Sequence, residues 1–449
     1  MEKETFFQKL TTLYLACMGS VLLLYPGVKG YLDITAQKSK LFLLLSGSYL
    51  AICVIGRLEL ALLGGKPIPG LRMLWRNLHL TQKLTLGLWA VTALSTVFSV
   101  DFKASLWGGS HWEGFLTLSL YYGCFLLVSM LAKPKPWLLG LFGGSLCVNS
   151  AVAWLQLAGY NPMGLYPLGT NYYDGGKLYM GRFLGTVGSV TLQAAVLSLA
   201  IPAFVLCLIK GRHRLRWLLL VPLLLCVRLL FVLQISAGIV GVLGGILLSL
   251  PVIGPKNRTR RRLLTAVGLT VAAGLAAVYL FGESLPGFLP ELSGVLHGNW
   301  EDSYGSDRVL IWREVLELVP ERPLLGGGPD TLGLRIDLLK PVRQSRVDVT
   351  VFQVLDMAHN EYLNILVNQG IPALLLYLSI LAAAAVEWIR LAPKDPTAAV
   401  CGGLVLGYCL QAFFGLSTPF TTSYLWLGLA LLVVRARGDR RKRASKELL

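Results

Sequence analysis

Charge is what this chain has least of. Only 14% of its 449 residues are Asp, Glu, Lys or Arg, whereas soluble proteins carry about a quarter. With 55% hydrophobic residues and a mean hydropathy of +0.63, a soluble enzyme is excluded. Acidic residues are scarcer still, 24 against 41 Lys and Arg, which leaves a net charge of +17. That surplus does not indicate nucleic acid, because the basic residues cluster in short connections between apolar runs, as in Lys256–Arg262 and Arg435–Arg443. Such clustering sets membrane orientation. The long polar stretch has no cysteine, and all eight cysteines lie in apolar runs, so neither a disulfide framework nor a thiolate metal cluster is implied. The chain also lacks a P-loop, a His-Glu-x-x-His zinc helix and a Gly-x-Ser-x-Gly elbow. No Asp-x-Asp pair offers a seat for a metal-bound diphosphate. No metal site and no cofactor are expected, and the reaction, if there is one, is metal-independent. Alternating ten-residue strands are missing as well, which excludes a β-barrel.

What is present is a succession of apolar runs, each long enough to cross ~30 Å of hydrocarbon at about 1.5 Å per residue. Twelve spans are predicted, at about 10–27, 41–56, 84–100, 115–131, 137–157, 188–209, 216–235, 237–253, 264–282, 365–388, 397–416 and 422–436. The fold class is therefore all-α, a polytopic membrane protein read as one integral domain over 1–449. Met1–Leu10, with Glu2 and Glu4, does not resemble a cleavable signal peptide. An even number of spans puts both termini on one side. With the termini inside, inner segments hold 27 of the Lys and Arg residues and outer segments 13, so cytoplasmic termini in a cell membrane are expected. The basic tail Arg435–Lys446 suits a surface of anionic lipid.

One polar stretch interrupts the pattern, Glu283–Leu363, between the ninth and tenth spans. It is expected to be a large extracytoplasmic loop. Within it Asp307–Pro320 reads as an amphipathic helix capped by Ser306 or Asp307, with Ile311, Val315, Leu318 and Val319 at helical spacing. Gly326-Gly327-Gly328-Pro329 makes a tight turn. Arg308 and Arg313 are five apart, so they need not share a face, and a surface salt bridge is the plain expectation for Arg313. His359 directly precedes the tenth span, where an imidazole titrating near 6.5 can accept a proton. Two cations elsewhere stand out. Arg182 sits where a helix N-terminus gives a cation no advantage. Arg228 lies inside the seventh span, where it either snorkels to the surface or lines a cavity for an anionic headgroup. The Trp-rich loop Leu106–Gly114 reads as an interfacial belt.

Three stretches carry a family resemblance: Ser306-Asp307-Arg308-Val309-Leu310-Ile311-Trp312 leading to Pro323–Pro329; His359-Asn360-Glu361-Tyr362-Leu363 followed by Asn368-Gln369-Gly370-Ile371-Pro372; and, more weakly, Gly181-Arg182-Phe183. The sequence resembles the O-antigen ligase and O-antigen polymerase superfamily, membrane glycosyltransferases of the GT-C kind. The resemblance implies transfer of a glycan from undecaprenyl diphosphate to an acceptor glycan or glycolipid hydroxyl, within membrane lipid. It implies that Arg308 binds the diphosphate and His359 activates the acceptor; Arg182, Arg228, Arg313 and Tyr362 are further candidate substrate-binding residues of this chain. One departure is plain. The family's Ser-Arg-Gly is here Ser236-Ala237-Gly238, so a second cation must come from elsewhere, Arg228 or Arg182. The alternative function is a transporter or flippase of lipid-linked saccharide, although the single late loop lacks the inverted symmetry of transporters.

Overall fold

The computed structural model describes residues 5–28, 30–64, 70–165, 172–174, 177–179, 185–233, 235–255, 258–336, 339–344 and 349–447. Their helices are α1 (Phe6–Cys17, continued by a π-helical turn, Met18–Leu22), α2 (Ile34–Leu62), α3 (Leu71–Asn77), α4 (Leu80–Val97), α5 (Phe102–Trp107), α6 (Phe115–Leu131), α7 (Pro136–Leu157), α8 (Val190–Lys210), α9 (Leu220–Leu233), α10 (Ser236–Ile253), α11 (Arg258–Phe281), α12 (Leu289–Leu296), α13 (Tyr304–Glu317), α14 (Glu361–Leu391), α15 (Pro396–Gln411) and α16 (Pro419–Glu447). Two antiparallel hairpins, β1 (Tyr172–Asp174) with β2 (Lys177–Tyr179) and β3 (Leu339–Gln344) with β4 (Val349–Val354), fall where loops were expected.

The molecule is a polytopic membrane protein. Among the described residues, eight helical segments are long and apolar enough to cross a membrane, and α6 and α15 are shorter apolar helices. All twelve predicted spans fall on helices, α1 and α4 accounting for the other two. Differences lie at the margins. The α2 helix runs several residues past its predicted end, and the connection before α4 contains α3. These apolar helices stop late because nothing in their last turns breaks a helix.

Packing follows the small residues, as expected where lipid removes the hydrophobic drive between helices. A Cβ on Gly241 would meet Ser198 Oγ at 2.6 Å and the Gly407 carbonyl at 2.8 Å, and one on Gly407 would meet the Ser198 carbonyl at 2.0 Å. Hence α8, α10 and α15 touch almost backbone to backbone. Hydroxyls tie other pairs, Thr11 to Tyr49 at 2.9 Å and Gln82 to Ser129 at 2.7 Å.

The bundle has two distinguishable ends. At the tail end, Glu387 of α14 meets His79 at the start of α4 (3.2 Å), Arg390 and Arg440 (2.6 Å). Asp395 pairs with Arg435 at 2.5 Å. At the opposite, loop end, the segment between α11 and α14 folds onto the mouths of α4, α6, α14 and α15.

Candidate active site

The long polar segment is a small folded unit. Ile311 and Val315 of α13 pack with Leu332, Ile336, Leu355, Ala358 and Val367 in a core separate from that of the bundle. The α13 segment is kinked near its start, and its regular right-handed part begins at Arg308. Ser303 is the N-cap residue, and Gly305, Ser306 and Asp307 all have left-handed φ values of 66°, 62° and 66°. Left-handed backbone costs a non-glycine residue about 1–2 kcal/mol, so two such residues here mark a conformation held by its surroundings. Ser306 and Asp307 therefore form the turn that directly precedes the regular helix, the place where the sequence puts its cap. The Gly305 N–H donates to Glu291 Oε2 at 2.7 Å, which anchors the turn on α12.

This turn aims Arg308. One guanidinium nitrogen donates to the Gly305 carbonyl, the other to the Phe414 carbonyl at 3.1 Å, between α15 and α16. The buried Nε–H finds no acceptor. Burial pushes the guanidinium pKa down, while Glu291 pulls it back up. An arginine held by carbonyls, with a donor left over, still has its charge to offer to an oxyanion.

The residue before His359 is tied to the helix that carries Arg308: Trp312 Nε1 donates to the Ala358 carbonyl at 3.0 Å. His359 is half-buried and left-handed at φ 48°. The next residues are committed to structure. Asn360 caps α14, its Oδ1 accepting from the N–H groups of Tyr362 (3.0 Å) and Leu363 (3.1 Å). Glu361 is buried and accepts from Tyr377 (2.5 Å) and Tyr408 (2.6 Å).

The second halves of the two motifs interlock. The α14 helix breaks at Gly370 (φ 85°), just before Pro372. A break exposes main-chain groups that must be satisfied within a membrane. Gly327 and Gly328 donate to the carbonyls of Val367 (3.1 Å) and Asn368 (2.7 Å), and Ile371 donates to Pro323 (2.8 Å). Gly326, at φ 63°, lies where a Cβ would be 2.4 Å from the Asn368 carbonyl carbon. Arg335, which the sequence reading passed over, reaches the Val367 carbonyl at 2.9 Å and Leu318 at 3.0 Å.

The other candidate residues divide. Arg313 is exposed and pairs with Asp302 at 2.6 Å, while lining a groove of about 570 Å³ with Trp300 and Trp312. Tyr362 gives its hydroxyl to the Cys409 carbonyl at 2.8 Å and packs on Phe413, which uses its polar atom on α15. Arg228 is exposed on α9, its guanidinium 5.5 Å from the centre of the Trp154 ring on α7. These contacts do not join it to Arg308. Arg182 lies outside the described residues. Ala237 is buried, and Gly238 beside it packs on Leu230 and Ala194. Lys38 is fully buried near the loop end, but its Nζ donates to the carbonyls of Leu22 and Leu23, each at 2.8 Å. It closes the end of the first span.

Sequence reading also missed an ion pair. His111 Nε2 lies 3.1 Å from Asp356 Oδ1, three residues before His359. Burial pulls the His111 pKa down, but Asp356, within ion-pair distance although Nε2 meets no acceptor at hydrogen-bond geometry, and the charge of Asp330 push it up overall. Burial raises the Asp356 pKa, and His111 outweighs it, holding Asp356 at about 2. The signal available was the lone histidine in a Trp-Gly loop, and nothing in the sequence names its partner. Among the described residues, no group of three or more His, Cys, Asp or Glu is placed to hold a metal ion.

The membrane bundle thus carries at its loop end a folded polar segment in which the helix of Arg308 is tied to the residue before His359. The sequence model of the O-antigen ligase family matches residues 221–378, a segment that holds Arg228, Arg308, Arg313, His359 and Tyr362. The chain thus carries a segment that matches the domain of the O-antigen ligase family, a family of lipid-linked-glycan-transferring enzymes. A comparison with curated protein sequences finds no match.

Proposed function

We propose that the chain polymerises or ligates a cell-surface polysaccharide by taking a glycan from undecaprenyl diphosphate. The acceptor hydroxyl oxygen attacks the anomeric carbon, the bond from that carbon to the diphosphate oxygen breaks, and undecaprenyl diphosphate leaves with the electron pair. His359 takes the hydroxyl proton. Arg308 meets the charge growing on the diphosphate, in the bidentate way that guanidinium suits phosphate oxygens. The donor is already activated, so the reaction calls on no metal or nucleotide. The observation that carries the reading is the Trp312–Ala358 tether, which ties the Arg308 helix to the residue before His359 although 51 positions separate Arg308 and His359 in sequence. The groove beside Trp300, Trp312 and Arg313 offers indole faces to a sugar.

The matching topology has twelve crossings in one integral domain, cytoplasmic termini and an extracytoplasmic loop over 283–363, supported by the excess of Lys and Arg on the tail side. The exposed position of Arg228 over Trp154 favours an interfacial cation, so Arg308 is the diphosphate contact we assign. The test is transfer by purified protein given a lipid-linked oligosaccharide and candidate acceptors. Product from the wild type and none from His359→Ala or Arg308→Ala is expected. Translocation of the lipid-linked sugar without a new glycosidic bond would replace this reading with a transporter.

A further inference from the structure

Apart from the segment that carries Arg308 and His359, the loop end encloses a polar cavity of about 40 Å³ between α6, α14 and α16. One face of α14 supplies Glu361, Asn364 and Asn368, at the i, i+3, i+7 spacing of a single helix face, and the loop before α6 supplies Glu113. Both glutamates are buried, 7% and 4% exposed. Glu113 accepts from the Tyr121 hydroxyl. Glu361 accepts from Tyr377 and Tyr408, which leaves lone-pair capacity on each oxygen. Ser417 and Thr422 stand on the wall, and no Lys or Arg lines the cavity. Asn368, only 2% exposed, gives its Nδ2 to Asn364 at 3.3 Å, and its Oδ1 has no partner.

Glu113, Glu361 and Asn368, whose side-chain oxygen is an orphan, therefore line a space with room for one ion and a water or two, beside a third carboxylate, Asp330, whose Oδ2 already accepts from the main-chain N–H groups of His111 (3.3 Å) and Glu113 (3.2 Å). Every group short of a partner is an acceptor. A buried carboxylate without a counter-charge takes up a proton instead, and burial first, then the charges of Glu361 and Asp330, pushes the Glu113 pKa well up despite the Tyr121 bond. The donors are all hard oxygens, which exclude soft transition metals. We propose that this cavity binds one small monovalent cation, sodium in the first instance, held by Glu113, Glu361 and the Asn368 side-chain oxygen. The ion clips the Trp-Gly loop, which carries His111 and Glu113, to the start of α14, directly after His359. The inference is independent of the proposed reaction, since the ion touches no reacting atom.

The test is binding of ²²Na⁺ to the purified full-length protein, with thermal midpoints in sodium chloride and in N-methylglucamine chloride at equal ionic strength. Saturable sodium binding and a midpoint several degrees higher in sodium are expected. Both are lost in Glu113→Gln, which keeps the volume and the Tyr121 bond, and weakened at least tenfold in affinity in Asn368→Ala. Equal midpoints in the two salts, sodium binding that survives Glu113→Gln, or stabilisation by calcium in place of sodium would each overturn the assignment.

Discussion

At the tail end of the bundle Glu387 is surrounded by His79, Arg390 and Arg440, and Asp439 by Arg390 and Arg443. At the loop end the buried guanidinium of Arg308 rests on two carbonyls with Nε unsatisfied, and Asn368 Oδ1 has nothing to accept. The same residue types thus serve two purposes. Where charges are mutually paired they fasten helices. Where donors and acceptors are left over, and where Ser306, Asp307 and His359 adopt left-handed backbone, fastening helices does not account for the arrangement. Counting charged residues at each end would not separate the two. Accounting for the partners of the charged groups does, although the Trp388 Nε1 beside Glu387 is also without one.

The comparison breaks first at His359. His359→Ala is expected to lower transfer by 10²–10⁴-fold, the usual worth of a general base, with its thermal midpoint near that of the wild type. Arg308→Ala is expected to lose 10²–10³-fold, and Arg308→Lys to recover little of it, because a point charge does not reproduce the fork. Wild-type rates in these variants would place the chemistry elsewhere. Glu387→Ala should do the reverse. Losing a buried, multiply paired carboxylate costs about 1–3 kcal/mol once the exposure of Arg440 is discounted, so the midpoint falls by several degrees while the rate per folded molecule at low temperature holds.

A smaller effect separates the ends by pH. The raised pKa of His111 means that its pair with Asp356 contributes fully below about 6.5, the unfolded histidine value, and fades as pH rises through the folded value. Asp356, held at about 2, contributes above its unfolded value of about 3.9 and loses that contribution as pH falls through its folded value. The midpoint difference between wild type and Asp356→Asn should therefore be largest between about pH 4 and 6.5 and shrink toward pH 9. A constant difference would show that the pair is not ionic. The smallest effect belongs to Arg313→Ala. Its exposed pairing with Asp302 predicts an unchanged midpoint, and only a subtle change in acceptor preference.

Most of the fold was legible because crossing a membrane is a matter of length and apolarity, which neighbouring residues declare locally. The motifs around Arg308 and His359 could be read as well, each being a local run. The pairs that build the site could not. Glu361 with Tyr408, His111 with Asp356 and Trp312 with Ala358 are joined across 45 residues or more, and no periodicity announces such partners. The polar face Glu361, Asn364, Asn368 was available as helical spacing, but it sits inside a run dominated by Leu and Ile. The left-handed turn at Ser306 and Asp307 had only Gly305 to advertise it. The missing arginine at Ala237 was visible, and the structure adds that Ala237 is buried beside a glycine that packs directly on α8.

The break in α14 at Gly370 has a bearing on how such proteins can be recombined. Pro323, Gly327 and Gly328 bond to the α14 main chain, and main-chain bonds do not depend on which side chains the rest of the segment carries. The polar segment and the first turns of α14 therefore form one exchangeable cassette. A chimera that transplants residues 304–372 as a unit carries both halves of the seam and should fold. One joined between the glycine turn and α14 would have to match two foreign backbones along a ladder that tolerates no Cβ at Gly326.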